Sequence, residues 1–154
     1  MTLSIEITPR GSRGARVPVP VLRFFGRIAV RMYRVLGRPL PGPGNVLLTT
    51  VGARSGHRRT VPLTGFAESD GRWLIVGSLA GSARHPAWFI NLANDPDRVW
   101  LQVGRARFKV QPELLRGEER TAAWRRIVSE AQGYAAYERS TDREIPIVRL
   151  SRMA

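Results

Sequence analysis

Residues Asn45 to Leu63 read N-V-L-L-T-T-V-G-A-R-S-G-H-R-R-T-V-P-L. Two β-type runs, Val46–Val51 and Thr60–Leu63, flank a loop of small, polar and basic residues. Gly52 and Gly56 permit a tight turn through positive φ. Arg54, Arg58 and Arg59 place three fixed positive charges there, and His57 adds a titratable one. Ser55 contributes a hydroxyl. Guanidinium forks match phosphate and carboxylate oxygens geometrically. The stretch reads as an anion seat between two strands or as a solvated basic hairpin. It carries neither G-x-x-x-x-G-K-S/T nor G-x-G-x-x-G, so the seat is not a known phosphate loop at a helix start.

Composition bounds what such a seat can serve. At 154 residues the chain has the size of one domain, and its 43% hydrophobic share is ordinary for a globular protein. It has no cysteine, which excludes disulfides, thiolate metal sites and cysteine catalysis. With His57 and His85 as the two histidines, no metal is expected. The formal net charge is +13, from 24 Arg and one Lys, Lys109, against 12 acids. Residues 1–60 hold 11 Arg and one acid, Glu6, which is +10 of that total. Such a charge favours nucleic acid, anionic lipid or a polyanionic cofactor. No apolar run of about 18 residues exists, so no transmembrane helix is expected. The N-terminus lacks a continuous apolar region with a cleavage site, and a cytoplasmic location is expected.

Residues 1–17 are glycine- and arginine-bearing with few apolar groups and read as a flexible leader before a single domain, 18–154. A helix is expected from Val21 to Leu36, with apolar positions 21, 22, 24, 25, 28, 29, 32, 33 and 36. Arginines 23, 27, 31, 34 and 38 take the opposite face. That helix either packs its stripe on the domain or lies on an anionic membrane surface. Arg38 to Gly44 form a stiff connector, and the Val46 hairpin extends to about Ala67. Arg72–Ser78 reads as a buried strand, Leu79–Arg84 as a small-residue loop, and Ala87 to about Asn94 as a helix opened by His85-Pro86. Trp88 there is either an aromatic wall for a ligand or plain core. Arg98–Val103 and Ala106–Leu114 make a second hairpin, Glu118 to Gln132 a helix, and Ile145–Leu150 a last strand. Tyr134 and Tyr137 share one helical face. Six or seven mostly hairpin-linked strands with segregated helices predict an α+β barrel rather than a doubly wound sheet.

Three segments taken together carry a resemblance. They are Thr49–Arg59, then Gly77–Gly81 with His85-Pro86-Ala87-Trp88-Phe89-Ile90-Asn91-Leu92, then Tyr134–Tyr137 with Thr141-Asp142-Arg143-Glu144-Ile145-Pro146-Ile147-Val148. In this order they resemble the deazaflavin (coenzyme F420)-dependent nitroreductase family of actinobacteria, over roughly residues 20 to 150. The resemblance implies a split β-barrel of the FMN-binding-like kind, with about six mainly antiparallel strands. It implies coenzyme F420, an 8-hydroxy-5-deazaflavin with a phosphate-linked polyglutamate tail. By position, Arg54, Ser55 and Arg59, with Gly56 in the same turn, would hold the phosphate. Thr60, Val61, Pro62 and Leu63 would line the cofactor's path. Val76, Gly77, Ser78 and Leu79 would meet the ring edge, and Ala87, Trp88 and Asn91 would close the ring's other side. Ser78, Tyr134 and Tyr137 would face the substrate. The chain departs from the family pattern at Ala53, where a second basic residue is frequent, at Leu79, where Lys is common, and at Thr64, where a Tyr can occur.

A deazaflavin performs two-electron hydride chemistry itself, so no Ser/His/Asp or paired-carboxylate constellation is required. The expected activity is hydride transfer from reduced F420 to a flat apolar acceptor such as a quinone or nitro compound, with Tyr134 or Tyr137 as candidate proton donors. Two other classes remain: a non-catalytic F420 carrier of the same fold, and a basic nucleic-acid module. The second lacks a helix-turn-helix, a zinc finger or an aromatic RNA platform, and no nucleic-acid partner is expected. If the chain meets an anionic membrane, residues 21–36 are the contact, and the sequence leaves the oligomeric state open.

Overall fold

The computed structural model describes residues 5–38 and 45–153. From position 39 on, the Arg38–Gly44 connector lies outside the described residues. Seven strands form one sheet: β1 (Val46–Val51), β2 (Arg58–Leu63), β3 (Phe66–Ala67), β4 (Trp73–Val76), β5 (Trp100–Val103), β6 (Ala106–Leu114) and β7 (Ile147–Arg152). Their order is β2-β1-β5-β6-β7-β4-β3 and every pairing is antiparallel. The sheet curls into a half-barrel, an α+β fold as the strand-and-helix count implied. Four helices attend it: α1 (Val19–Leu36), α2 (Ala87–Asn94), α3 (Gly117–Glu130) and α4 (Gly133–Ser140).

Strand alternation distributes the core. Val46 and Leu48 face a cluster with Ile75, Trp88, Phe89, Leu92 and Leu101 beneath α2. Leu47 between them turns the other way, onto Val30 and Tyr33 of α1. Leu74, Val76 and Ile147 face Ile127 of α3, whereas Ile75 and Val148 face the α2 side. Phe89 is fully buried, and burial of such a side chain contributes about 1.5–3 kcal/mol.

Helix α1 starts two residues before the expected point, behind Pro18, with Pro20 in its first turn. It ends at Gly37, whose φ of 65° lets its N–H reach the Tyr33 carbonyl at 2.8 Å. Tyr33 anchors the helix. Its hydroxyl donates to the Asn45 carbonyl at 3.0 Å and accepts the Gly104 N–H at 2.7 Å. The domain takes up only Val30 and Tyr33 fully; Phe24, Phe25, Ile28 and Val35 stay exposed. Of the expected stripe only Tyr33 is fully taken up; Val30, which lies outside that stripe, packs beside it, and most of the stripe stays exposed.

Element boundaries shift by a few residues throughout, the last strand running Ile147–Arg152 rather than Ile145–Leu150, and two of the shifts bear on the site. Strand β2 begins at Arg58, which pairs with Val51, so Arg58 and Arg59 lie on the strand and not on the turn. The first hairpin ends at Leu63 rather than running to Ala67. Asn45 clips Gly65, donating to its carbonyl at 3.0 Å and accepting its N–H at 2.6 Å. Phe66 and Ala67 then pair with Leu74 and Trp73 instead.

From Ile5 on, the stretch read as a flexible leader makes specific contacts. Ile5 is buried in the α2-side cluster. Gly11 N–H donates to Ala83 O and Ala15 N–H to Gly81 O, both at 2.9 Å. Ser12 and Arg13 N–H both reach Asp142 Oδ1 at 2.9 Å. The glycine read as a sign of mobility serves close approach: a Cβ on Gly14 would sit 2.2 Å from the Ala83 nitrogen.

Candidate functional site

The basic turn is built by its own backbone. Gly52 N–H donates to His57 O and Gly56 N–H to Gly52 O, both at 2.8 Å. His57 N–H donates to Ser55 Oγ at 3.2 Å. Gly56 has φ 71°, the left-handed region that favours glycine, while a Cβ on Gly52 would meet Ser55 Oγ at 2.6 Å and displace that hydroxyl. Arg54, Ser55, Gly56 and Arg59 are all exposed.

Alternation along β2 divides the residues proposed for one path. The Arg58 guanidinium stacks 4.3 Å from the Trp100 ring, and the Thr60 hydroxyl bonds to Thr49 at 2.8 Å and to Arg34 Nη2 at 3.2 Å. Those contacts, and Pro62 opposite Gly26, put Arg58, Thr60 and Pro62 on the α1 side. Val61 and Leu63 pack against the α2-side cluster. Arg59 shares their face, beside its partner Thr50. Arg58 is thus turned away from Arg59.

Helix α2 meets the turn through Asn91. The Asn91 side chain is buried; its Oδ1 accepts the Ala53 N–H at 3.0 Å and its Nδ2 donates to Thr50 Oγ1 at 3.4 Å. Ala87 is exposed at the helix start. Trp88 is buried and edge-on to Phe89, with ring centroids 6.2 Å apart.

After β4 the chain enters a strained turn. Ser78 is right-handed helical (φ −75°, ψ −35°), followed by Leu79 at φ 40°, Ala80 at φ 51° and Gly81 at φ 82°. Left-handed non-glycine residues cost on the order of 1–3 kcal/mol each and persist only where the surroundings hold them. A right-handed residue followed by left-handed ones makes a nest, in which successive N–H groups converge on an acceptor.

The holder is Arg143, which sequence reading used for resemblance only. It is buried and donates to Gly77 O (2.9 Å), Ser78 O (2.9 Å) and Ser82 O (3.1 Å), and to His85 Nδ1 at 3.0 Å. Burial lowers its pKa to about 10, and it stays charged at neutral pH. His85 Nε2 lies 2.7 Å from the Thr8 carbonyl. With Nδ1 accepting from Arg143, the proton is on Nε2 and the ring is neutral. Desolvation lowers the His85 pKa; the Thr8 carbonyl opposes that and the Arg143 charge adds to it.

Helix α4 closes the other side. Tyr134 and Tyr137 meet edge to face at 5.4 Å, and Tyr134 meets Phe66 at 5.9 Å. Burial raises the Tyr134 pKa, with a Thr64 hydrogen bond working against it. Gly81 abuts this helix, for a Cβ there would lie 3.1 Å from Tyr137 O. The structure therefore sets the Leu79–Gly81 turn, which follows the buried Ser78, against α4.

The family described as F420H2-dependent quinone reductase matches residues 22–151. The chain belongs to this family. It is 37% identical over 141 residues to an F420H2-dependent quinone reductase of Mycobacterium tuberculosis, covering 88% of this chain and 93% of that one. Among solved structures, an F420-H2 dependent reductase is 37% identical with a TM-score of 0.61, covering 69% of this chain and 92% of that one. Another, described as a domain-swapped dimer, is 32% identical with a TM-score of 0.65, covering 87% and 99%. This F420H2-dependent quinone reductase family member is thus an oxidoreductase with coenzyme F420 as cofactor. The resemblance to F420-dependent reductases read from the three segments agrees with that membership, and quinone is the acceptor class the family name gives.

Proposed function

We propose that the Gly52–His57 turn and Arg59 hold the acidic tail of F420, that Val76–Leu79 take the ring edge, and that a quinone lies against Ser78, Tyr134 and Tyr137. The observation that carries this reading is the Asn91 bridge, which fixes the basic turn to the helix that borders the ring site. The donor set suits the cofactor: exposed guanidinium and hydroxyl groups for a phosphate and carboxylates, and a nest of N–H groups for the ring's electronegative edge.

When bound, reduced F420 supplies a hydride. The protein's part is to orient, exclude water and manage a proton. Arg54, Ser55 and Arg59 bind the tail. Val61 and Leu63 give an apolar side to the path, while Thr60 and Pro62 brace β2 against α1. Ala87 would border the ring, with Trp88 as packed support behind it and Asn91 acting through Ala53 and Thr50. Tyr134, whose burial favours the protonated phenol, would donate a proton to the reduced acceptor, with Tyr137 packed edge to face against its ring.

The acceptor's source follows from α1. Arg23, Arg27, Arg31 and Arg34 are exposed on a helix without acids, next to Phe24 and Phe25 at 61% and 62% exposure. Ile28, Arg31, Met32, Val35 and Leu36 line an open surface hollow of ≈ 280 Å³ on this face. A cationic helix with an unpacked oily face suits the interface of an anionic membrane, where lipid-soluble quinones reside. Among the described residues no helix is long and apolar enough to cross a membrane, so the contact is peripheral.

Titration of the purified protein with F420, FMN and a DNA duplex tests the reading. Tight F420 binding with FMN and DNA ignored supports it, and oxidation of reduced F420 by a soluble naphthoquinone separates a reductase from a carrier. Binding without turnover leaves the carrier role in its place.

A further inference from the structure

Arg143 is a buried cation whose hydrogen-bond partners, among the described residues, are three carbonyls and an imidazole nitrogen, with no carboxylate. Buried charges are ordinarily paired with an opposite charge. Here the guanidinium faces one turn instead, the turn whose Leu79 and Ala80 are left-handed. Two of its acceptors are the oxygens of Gly77 and Ser78. Each belongs to a planar trans peptide, in which C=O and N–H point in opposite directions. Fixing those two oxygens toward Arg143 aims the N–H groups of Ser78 and Leu79 the other way. The same hydrogen bonds polarise both peptide units and make those N–H groups stronger donors.

We propose that Arg143 is a positioning residue for the cofactor: by gripping the Gly77 and Ser78 carbonyls it presents the Ser78 and Leu79 N–H groups to the electronegative edge of the F420 ring. The inference rests on the reading that Val76–Leu79 receive that edge. Arg143 touches neither cofactor nor quinone in this arrangement. Its grip is steadied by His85, which ties the same cluster to the Thr8 carbonyl of the N-terminal segment. Lysine cannot replace it, because a single ammonium cannot reach acceptors spread from Gly77 to Ser82 with a planar fork's geometry.

The test uses the full chain. Arg143→Lys is compared with wild type for thermal unfolding, F420 affinity by fluorescence, and kcat and KM for reduced F420. The folded variant at 25 °C is expected to bind F420 at least tenfold more weakly. Adding Ala80→Gly, which removes the left-handed penalty at that position, is expected to recover part of the loss. A folded Arg143→Lys with wild-type affinity, kcat and KM overturns the inference, as does a loss that Ala80→Gly leaves untouched. Should Arg143→Lys fail to fold, the wild type decides. On F420 addition the Ser78 and Leu79 amide protons are expected to shift downfield and exchange more slowly, and unshifted amides overturn the proposal. Wild-type protein that ignores F420 sinks the functional reading itself. A wild type that binds beside a competent Arg143→Lys sinks only this inference.

Discussion

Asn91 Oδ1 accepts the Ala53 N–H at 3.0 Å, joining helix α2 to the turn that carries Arg54 and Ser55. Both partners of this bond are needed for different reasons. Removing the amide leaves the Ala53 N–H without its side-chain acceptor and Thr50 without its donor, at a cost of about 1–3 kcal/mol. Asn91→Ala is therefore expected to lower the unfolding midpoint and weaken F420. Asn91→Asp keeps the acceptor but adds a negative charge beside the seat. It is expected to be more stable than Asn91→Ala and yet to bind F420 no better. Denaturant titration beside fluorescence binding separates the two, and equal stability for both variants would refute the bridge's role.

The arginines of the first hairpin are not equivalent. All three are exposed, but Arg59 lies on the α2 face while Arg58 is stacked on Trp100 on the α1 face. A charge-assisted hydrogen bond contributes ~1.5–3 kcal/mol, about a tenfold change in affinity or more. Arg54→Ala and Arg59→Ala are each expected to weaken F420 by that factor, with the loss shrinking at high salt. Arg58→Ala is expected to change affinity less than threefold, on the order of a rim charge. Equal losses for Arg58 and Arg59 would remove the assignment of faces.

How much of this was legible in the sequence depends on the range of the signal. The hairpin around Gly52 and Gly56, helix α2 behind His85-Pro86, and the β5–β6 turn at Gly104 are local patterns, and their positions were readable. The α1 stripe was readable too, but not which flank packs, because that is decided by Tyr33 reaching Asn45 and Gly104. The end of the first hairpin was set by Asn45 clipping Gly65, a side chain imitating a strand partner. Arg143 was the least legible residue. Its partners are backbone carbonyls 61 to 66 positions away, and backbone oxygens leave no mark on a sequence. The docked segment from Ile5 to Ala15 escaped for the same reason: glycines that permit close approach look like glycines that permit motion.

His85 makes stability depend on pH. Facing it are the Arg143 guanidinium at Nδ1, Thr8 at Nε2, and the Phe89 ring at 5.0 Å; no acid is among these contacts. Its folded pKa lies below the ordinary 6.5, so as pH falls the unfolded chain takes up the proton first. The contribution is complete above about pH 6.5 and is lost as pH drops through the folded value. Asp142, also lowered from 3.8, titrates in a separate, more acidic window. Thermal midpoints of wild type are expected to fall between pH 7 and 5. His85→Gln is expected to start lower and show a flatter profile over that range; an unchanged slope would place the effect elsewhere.

Tyr134 is raised above its ordinary 10.0 by burial, so it remains a phenol through neutral and mildly alkaline pH. As proton donor it would hold kcat level up to about pH 10, the onset of its titration. Tyr134→Phe is expected to lower kcat for quinone reduction by roughly 10²-fold, the low end for a general acid. F420 affinity is expected to stay as it was. Full activity in Tyr134→Phe would assign the proton to water.

The exposed face of α1 gives the last test, because it concerns residues the fold does not use. Phe24 is 61% and Phe25 62% exposed, and their rings meet each other at 5.6 Å rather than the domain. Replacing both by Ser is therefore expected to shift the unfolding midpoint by little, since surface substitutions usually stay within about 0.5 kcal/mol. On vesicles the same change removes two aromatic anchors from a cationic helix. Co-sedimentation with anionic vesicles is expected to fall at least tenfold, and reversing Arg27 and Arg31 to Glu is expected to abolish it, while neutral vesicles bind weakly throughout. Solution activity with F420 and a soluble quinone is expected to persist in both variants, because neither face touches the Arg59 side of β2. Two results would count against the membrane role. One is wild-type protein that ignores anionic vesicles. The other is a concentration-dependent dimer that the Phe24/Phe25 change dissolves, which would give the oily face to a second copy of this chain.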